Sequence, residues 1–156
     1  MVDAKAMTLS ELVETADRIF VGTVERVTAA TAGLTQAGRS TNASIRIVEI
    51  RIDRALMGPL TVGQRLEVRQ LASLSAPLNA GETVMWFLPA DSALGLTQPL
   101  GIYSGDFRIN MNDPARPAVN LRQNEGLWRD SPTRSPAPAS VPLDLLVSAT
   151  LSHVKR

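Results

Sequence analysis

Apolar segments bounded by turn-forming residues are the feature that most constrains this chain. Segments 19–27, 45–56, 64–71 and 82–88 are rich in Ile, Val, Leu and aromatic residues, and Gly, Pro, Asn and Ser separate them. Runs of this composition are typical of β-strands. Shorter runs at 102–103, 107–111 and 118–121 predict further strands. We therefore predict a mainly-β chain with five to six antiparallel strands.

Two strands carry signals of irregularity. Gly22 lies inside the first strand, where a glycine usually marks a bulge, a bend or a close backbone approach. In the second strand the apolar positions change parity between Ile47 and Val48, which predicts a β-bulge there. Between these strands, residues 28–44 contain almost no side chain to bury. We interpret residues 28–44 as a long loop, either mobile or functional.

Helical patterns flank the strands. Thr8 and Glu11 have the spacing of a capping box and predict a short N-terminal helix. Leu143, Leu146 and Val147 begin an amphipathic pattern that predicts a C-terminal helix. The domain organisation follows: a β-domain over 8–128, a Pro/Ser-rich linker over 129–140 and a helix over 141–156. We expect this helix to dock on the β-domain; the alternative is a partner-binding helix on a flexible tether.

Composition narrows the classes of function. The chain has 156 residues and a formal net charge of +1, so it lacks a strong general attraction to nucleic acid or anionic lipid. It contains no Cys, which excludes disulfides, thiolate metal sites and cysteine nucleophiles. No apolar run is long enough to span a membrane.

No catalytic constellation is recognisable. The single histidine, His153, falls in the last turn of the predicted C-terminal helix, where a cation favours the helix dipole. Glu49 and Asp53 alternate with Arg51 and fit a solvent-exposed strand face better than a paired-carboxylate site. Ser104 lies next to Gly105 and fits a turn. We expect a non-enzymatic protein with no catalytic, cofactor-binding or metal-binding residues and no cofactor.

Four phrases resemble those of small bacterial proteins of unknown function. They are Ala16-Asp17-Arg18-Ile19-Phe20-Val21-Gly22-Thr23-Val24, Arg54-Ala55-Leu56-Met57-Gly58, Gly81-Glu82-Thr83-Val84-Met85-Trp86-Phe87-Leu88 and Gly105-Asp106-Phe107-Arg108-Ile109. The opening is also similar to the barrel of tissue inhibitors of metalloproteinases and netrin-like modules. The resemblance implies an OB-like barrel over residues 8–122. Because the animal inhibitors act through an N-terminal Cys, their mechanism does not carry over, and no functional residue is transferred.

These bacterial proteins are commonly exported. The resemblance therefore implies a periplasmic or extracellular protein whose signal peptide is absent from this sequence; a cytoplasmic location stays open.

The function that these observations favour is a binding or protein-interaction module. The aromatic residues Trp128 and Tyr103, together with Arg39 in the segment 28–44, are the candidate partner-binding residues. The expected partner is another protein; its identity and the oligomeric state stay open. The alternatives are a barrel that binds single-stranded nucleic acid and a cysteine-free protease inhibitor. The nucleic-acid alternative is weakened because Phe20, Trp86, Phe87 and Phe107 are expected in the core.

Overall fold

The computed structural model describes residues 6–36, 38–101, 103–129 and 140–154. Helix α1 (Leu9–Thr15) precedes β1 (Arg18–Gln36), β2 (Arg39–Met57) and β3 (Arg65–Leu71). A short 3₁₀ helix (Ala72–Leu74) leads to β4 (Thr83–Leu88), β5 (Asp106–Ile109), β6 (Pro117–Asn120), β7 (Val141–Pro142) and α2 (Leu143–Val154).

The strands in the described ranges form one antiparallel sheet in the order β3-β2-β1-β4-β5-β6-β7. The mainly-β prediction is confirmed, with seven strands in these ranges instead of five or six. The sheet is open, because β3 and β7 are its two edges, so the predicted closed barrel is not confirmed. A partial link between distant parts of the sheet exists nonetheless. The amide of Thr97 donates a 2.7 Å hydrogen bond to the carbonyl of Arg69 at the outer strand β3.

The predicted capping box is confirmed at the start of α1. The amide of Glu11 donates to Oγ1 of Thr8 at 3.1 Å, and the amide of Thr8 donates to Oε1 of Glu11 at 2.9 Å. Two of the amides that a helix start leaves unpaired are thereby satisfied. The helix buries Leu9 and Leu12 against the sheet, which fixes where β1 begins.

The loop predicted over residues 28–44 is wrong. Strands β1 and β2 stay paired from Thr28 opposite Ile47 to Gln36 opposite Arg39, so only two residues connect them. One of the two is Gly38, with φ +76°. The prediction failed because it relied on apolar side chains, whereas an antiparallel ladder is held by backbone hydrogen bonds and forms without side-chain burial.

The bulge predicted at Ile47–Val48 is also wrong, since the register of β2 runs through it without a shift against both β1 and β3. The parity of the apolar pattern changes because Arg46 occupies the position on the same face as Val48 and Ile50. The shifts fall instead at Ile19/Phe20, Val21/Gly22 and Val24/Arg26. Gly22 confirms the predicted close approach, because a Cβ there would lie 2.8 Å from the carbonyl oxygen of Arg51.

Both faces of the sheet are covered. On one face, the helix-side core joins both helices to the strands through Leu9, Leu12, Ile19, Val21, Met85, Phe87, Phe107, Ala118, Leu143 and Leu146, among others. On the other, the second core contains Phe20, Val24, Val48, Ile50, Ile52, Val68, Leu78, Val84, Trp86 and Leu88. Strand β4 lies between β1 and β5 and contributes to both cores, as its continuous apolar run predicts.

Helix α2 packs on the helix-side core. Its side chains Leu143, Leu146, Val147 and Thr150 are buried, and the preceding strand β7 pairs with β6. Residues 130–139 of the predicted linker lie outside the described residues, as do 155–156. Neither helix in the described ranges is long and apolar enough to cross a membrane.

Candidate functional site

The far end of the β1–β2 pair projects from the sheet as a two-stranded arm. Strand β4 pairs with β1 only from Arg18 to Thr23, and β3 pairs with β2 only from Ile45 to Arg51. Residues 31–36 and 39–44 therefore pair only with each other among the described strands. We call these residues the hairpin arm. At the usual rise of a β-strand the arm is about 20 Å long.

The hairpin arm exposes both of its faces. Thr31, Gly33, Thr35 and the run from Arg39 to Asn42 are exposed, and Ala32 and Ala43 are half-buried. Small and hydroxyl side chains dominate, and Thr35 and Ser40 contact each other across the strands at 3.1 Å between their hydroxyl oxygens. A two-stranded ribbon without a packed face is only marginally stable in water. The arm is thus held mainly by its continuity with the sheet.

One side of β1 is unpaired over a longer stretch. Beyond Val24, whose amide donates to the carbonyl of Glu82 at 2.9 Å, β1 pairs with no described strand other than β2. We call residues 27–36 the open edge. It contains no Asp, Glu, Lys, Arg or Pro. Charged residues and prolines are the usual devices that prevent an edge strand from pairing with another chain. The open edge is therefore chemically able to accept another strand.

Charge is concentrated at the base of the arm and is internally balanced there. Glu25 accepts a 2.6 Å bond from Nε of Arg65, and Arg26 pairs with Glu49 at 3.3 Å. Arg51 pairs with Asp53 at 3.0 Å between Nε and Oδ1. Asp53 also accepts a 2.6 Å hydrogen bond from the hydroxyl of Thr23.

The hydrogen bond to Glu25 raises the pKa of Arg65. Every ionisable side chain of this group has an opposite charge within reach, so little net field extends along the arm.

The three candidate partner-binding residues do not form one surface. Arg39 is exposed and opens β2 at the tip of the hairpin arm, opposite Gln36. Tyr103, 39% exposed, lies in a turn before β5, and Trp128 is half-buried against the helix-side core. Each is adjacent in sequence to a residue that contacts the start of α1: the amide of Met7 donates to Oγ of Ser104, and that of Leu9 to the carbonyl of Leu127. Most of the length of β1 separates them from Arg39.

A second polar group lies at the end of the second core, around a buried carboxylate. Arg108 donates to both oxygens of Asp106, from Nε at 2.8 Å and from Nη2 at 3.0 Å. Its Nη1 donates to the carbonyl of Pro77 at 2.8 Å and lies 3.4 Å from a carboxylate oxygen of Glu82. Burial alone would lower the pKa of Arg108, but the hydrogen bonds and charges of Asp106 and Glu82 together outweigh it, and the pKa is raised.

A second arginine, Arg46, also bonds to the segment that connects β3 and β4. Nε and Nη2 of Arg46 donate to Oε1 of Gln70 at 3.1 and 2.6 Å, and Nη1 donates to the carbonyl of Ala76. Burial and the nearby charge of Arg108 lower the pKa of Arg46. Nε2 of the buried Gln70 has no hydrogen-bond partner among the described residues. Both guanidinium groups are committed to the chain itself, so this network fixes the β3–β4 connection over the second core.

His153 lines a cleft of about 300 Å³ between α1 and α2, together with Ser10, Val13, Glu14, Met57 and Val154. Across the described ranges, no three potential metal-ligand side chains cluster. Ser104 is buried and accepts the amide of Met7, in keeping with its predicted turn.

Sequence reasoning missed the hairpin arm and the arginine network. The signal for the arm was Gly38, which lies near the middle of 28–44 and has Thr residues, which suit strands, on both sides. The signal for the network was Arg46, a charged residue on the face of β2 that also carries Val48, Ile50 and Ile52.

No protein-family model matches this chain, and no curated protein matches it in sequence.

Proposed function

We propose that this chain is a non-enzymatic protein-interaction module and that the hairpin arm is its contact element. The observation that carries the proposal is the pairing pattern: residues 31–36 and 39–44 leave the sheet and pair only with each other in the described structure. The described side chains of this arm belong to neither core. A segment that costs ordering entropy without burying apolar surface is best explained by a contact outside the domain.

The mode of contact that fits the arm is strand addition. An extended segment of a partner pairs with an unpaired edge through main-chain hydrogen bonds. The open edge presents backbone donors and acceptors along residues 27–36, and small side chains such as Ala29 and Gly33 leave room for an incoming strand. The alternative of base stacking is disfavoured because Phe20, Trp86, Phe87 and Phe107 are fully buried, as expected from the sequence.

We also propose that the open sheet is a variant of the OB-like barrel, and that the protein is exported. The link from Thr97 to Arg69 supports the first proposal, because it brings the connection after β4 to the outer strand β3. The resemblance to small exported bacterial proteins supports the second.

A shortened variant tests the role of the arm. Replacing residues 31–44 by Asn-Gly joins Ala30 to Ile45, which are already paired, through a two-residue turn. A photo-reactive amino acid at Thr35 is expected to form a discrete cross-linked product in the producing cells. The same group at Val62, which is 65% exposed on the β2–β3 connection, is the control.

We expect cross-linking from Thr35 but not from Val62, and loss of the partner's binding in the shortened variant. Equal products from both positions, or unchanged binding by the shortened variant, would contradict the proposal.

A further inference from the structure

The open edge has the composition of a strand that can pair with its own copy. Residues 27–36 read Val-Thr-Ala-Ala-Thr-Ala-Gly-Leu-Thr-Gln, without a formal charge or a proline. When two identical strands pair around a two-fold axis, each side chain near the axis lies next to its own counterpart. A charged residue there would face a like charge, which destabilises a cross-strand pair. The open edge avoids this repulsion throughout its length.

The charged residues that flank the open edge along β1 are already neutralised within one chain. Arg26 pairs with Glu49 at 3.3 Å, and Glu25 with Arg65 at 2.6 Å. Two copies that approach side by side through β1 therefore bring together strands whose own flanking charges, Glu25 and Arg26, are balanced. The exposed side of β2 is a poorer candidate, because its unpaired stretch 39–44 is shorter and begins with the exposed Arg39.

We propose that the open edge binds a second copy of this chain, antiparallel and around a two-fold axis, so that the two arms form one continuous four-stranded ribbon. This inference rests on the proposed function and names the partner of the arm. Recognition of a different protein by strand addition takes its specificity from side-chain pockets or charges beside the edge. The described side chains of residues 28–35 on the open edge are small, whereas self-pairing needs only uncharged, matching edges.

The size of the contact sets the expected affinity. About ten residues from each copy would pair, against the 20–30 residues a side of a standard stable interface. The association is therefore weak, with a dissociation constant on the order of 10–100 µM. It becomes visible only when the protein concentration is raised.

Sedimentation equilibrium of the purified full chain, from about 1 µM to about 1 mM, tests the proposal because this range brackets the expected constant. Two variants carry charge on both faces of the edge: Thr31→Lys with Ala32→Lys, and Thr31→Glu with Ala32→Glu. We expect each variant alone to dissociate at least tenfold more readily than the wild type. An equimolar mixture of the two is expected to associate at least as well as the wild type.

The matched control is Thr61→Lys with Val62→Lys, two exposed positions away from the arm, and its dissociation constant is expected to equal that of the wild type. Circular dichroism confirms that each variant is folded. A chain that stays monomeric up to about 1 mM overturns the inference, as does unchanged association of the charged variants. Cross-linking from Thr35 to a different protein, with the chain itself monomeric, would overturn self-pairing and leave the proposed function standing.

Discussion

Trp86 and Asp106 lie opposite each other on β4 and β5, and Nε1 of Trp86 donates a 2.9 Å hydrogen bond to Oδ1 of Asp106. The indole is fully buried and Asp106 is 3% exposed. Arg108 supplies the two further donors and the opposite charge. A buried carboxylate is tolerable only when its oxygens are satisfied in this way. The hydrogen bond from Trp86 to Asp106 therefore connects the second core to the polar network around Arg108.

Removing this carboxylate is expected to cost much of the stability. Asp106→Ala leaves Arg108 half-buried without its main partner and the indole N–H of Trp86 without an acceptor. Loss of one member of a buried pair lowers the free energy of unfolding by about 3–5 kcal/mol. Asp106→Asn should cost less, because the amide oxygen can still accept from Trp86. Urea denaturation followed by circular dichroism measures both values.

The control for this prediction is Asp144→Ala. The Asp144 side chain is 90% exposed and pairs with Arg54 at 3.2 Å on the surface. Exposed pairs contribute up to about 1 kcal/mol. Equal losses for Asp106→Ala and Asp144→Ala would show that the network does not stabilise the fold.

Two glycines of β1 are expected to respond oppositely to the same substitution. A Cβ at Gly22 would lie 2.8 Å from the carbonyl oxygen of Arg51, so Gly22→Ala forces the two strands apart. We expect a loss of about 1–3 kcal/mol in the free energy of unfolding. At Gly33 the nearest atom, Oδ1 of Asn42, is 3.8 Å from such a Cβ.

Gly33→Ala is therefore expected to be neutral or to stabilise by about 0.4–1 kcal/mol, because it restricts the unfolded chain. Thermal unfolding of the two variants checks the difference. Similar melting temperatures for both would refute the close packing of β1 on β2 at Gly22.

The two glycines differ in whether their structural role could be predicted from the sequence. Gly22 lies among Phe20, Val21 and Val24, whose burial the apolar pattern predicts, so a glycine there was recognisable as a packing feature. Gly33 lies in a segment rich in Ala and Thr, where no described side chain is buried. A pattern of hydrophobic residues predicts which side chains are buried. It gives no signal where a strand is held only by backbone hydrogen bonds. The hairpin arm was missed for this reason.

The arginine network was out of reach for a different reason. Arg46, Gln70 and Ala76 come together from β2, β3 and the connection that follows. Each contact joins residues 24 or more positions apart, and no local pattern encodes such a meeting. The position of Arg46 on the core-facing side of β2 indicated that a polar group faces the core. It did not identify the residues to which Arg46 donates.

Asp91 gives a prediction for the dependence of stability on pH. The hydroxyl of Thr97 donates to its carboxylate, as does Nη2 of Arg18 at 2.8 Å, and these bonds lower the pKa of Asp91. A carboxyl whose pKa is lower in the folded than in the unfolded state stabilises the fold above its unfolded pKa. That contribution is lost as the pH falls through the folded value.

Asp91→Asn is therefore expected to be less stable than the wild type at neutral pH, with the gap narrowing below about pH 4, the ordinary range of an aspartate. The effect is small, because the Asp91 side chain is 59% exposed. Melting temperatures of both proteins across this range check it. A gap that stays constant down to about pH 2 would contradict the role of the charge.

The amides of β1 are expected to exchange with solvent at different rates along one strand. Residues 18–23 lie between β2 and β4, so both sides of the strand are paired. Residues 27–36 have β2 on one side only, and over 31–36 their partner strand is itself unpaired on its outer side. Opening the arm exposes no core residue among its described side chains, whereas opening 18–23 exposes Ile19, Phe20 and Val21. Local opening free energies follow such differences in buried contacts.

Hydrogen exchange followed by mass spectrometry or NMR, on protein dilute enough to be monomeric, is therefore expected to show slow exchange over 18–23 and fast exchange over 31–36. The comparison is internal, since both segments belong to the same strand and experience the same solvent. Uniform protection along β1 in dilute protein would mean that the arm is held by contacts other than its pairing with β2. Protection of 27–36 that appears only as the concentration rises is the pattern that pairing of the open edge requires, because a newly paired edge shields amides that β2 leaves exposed.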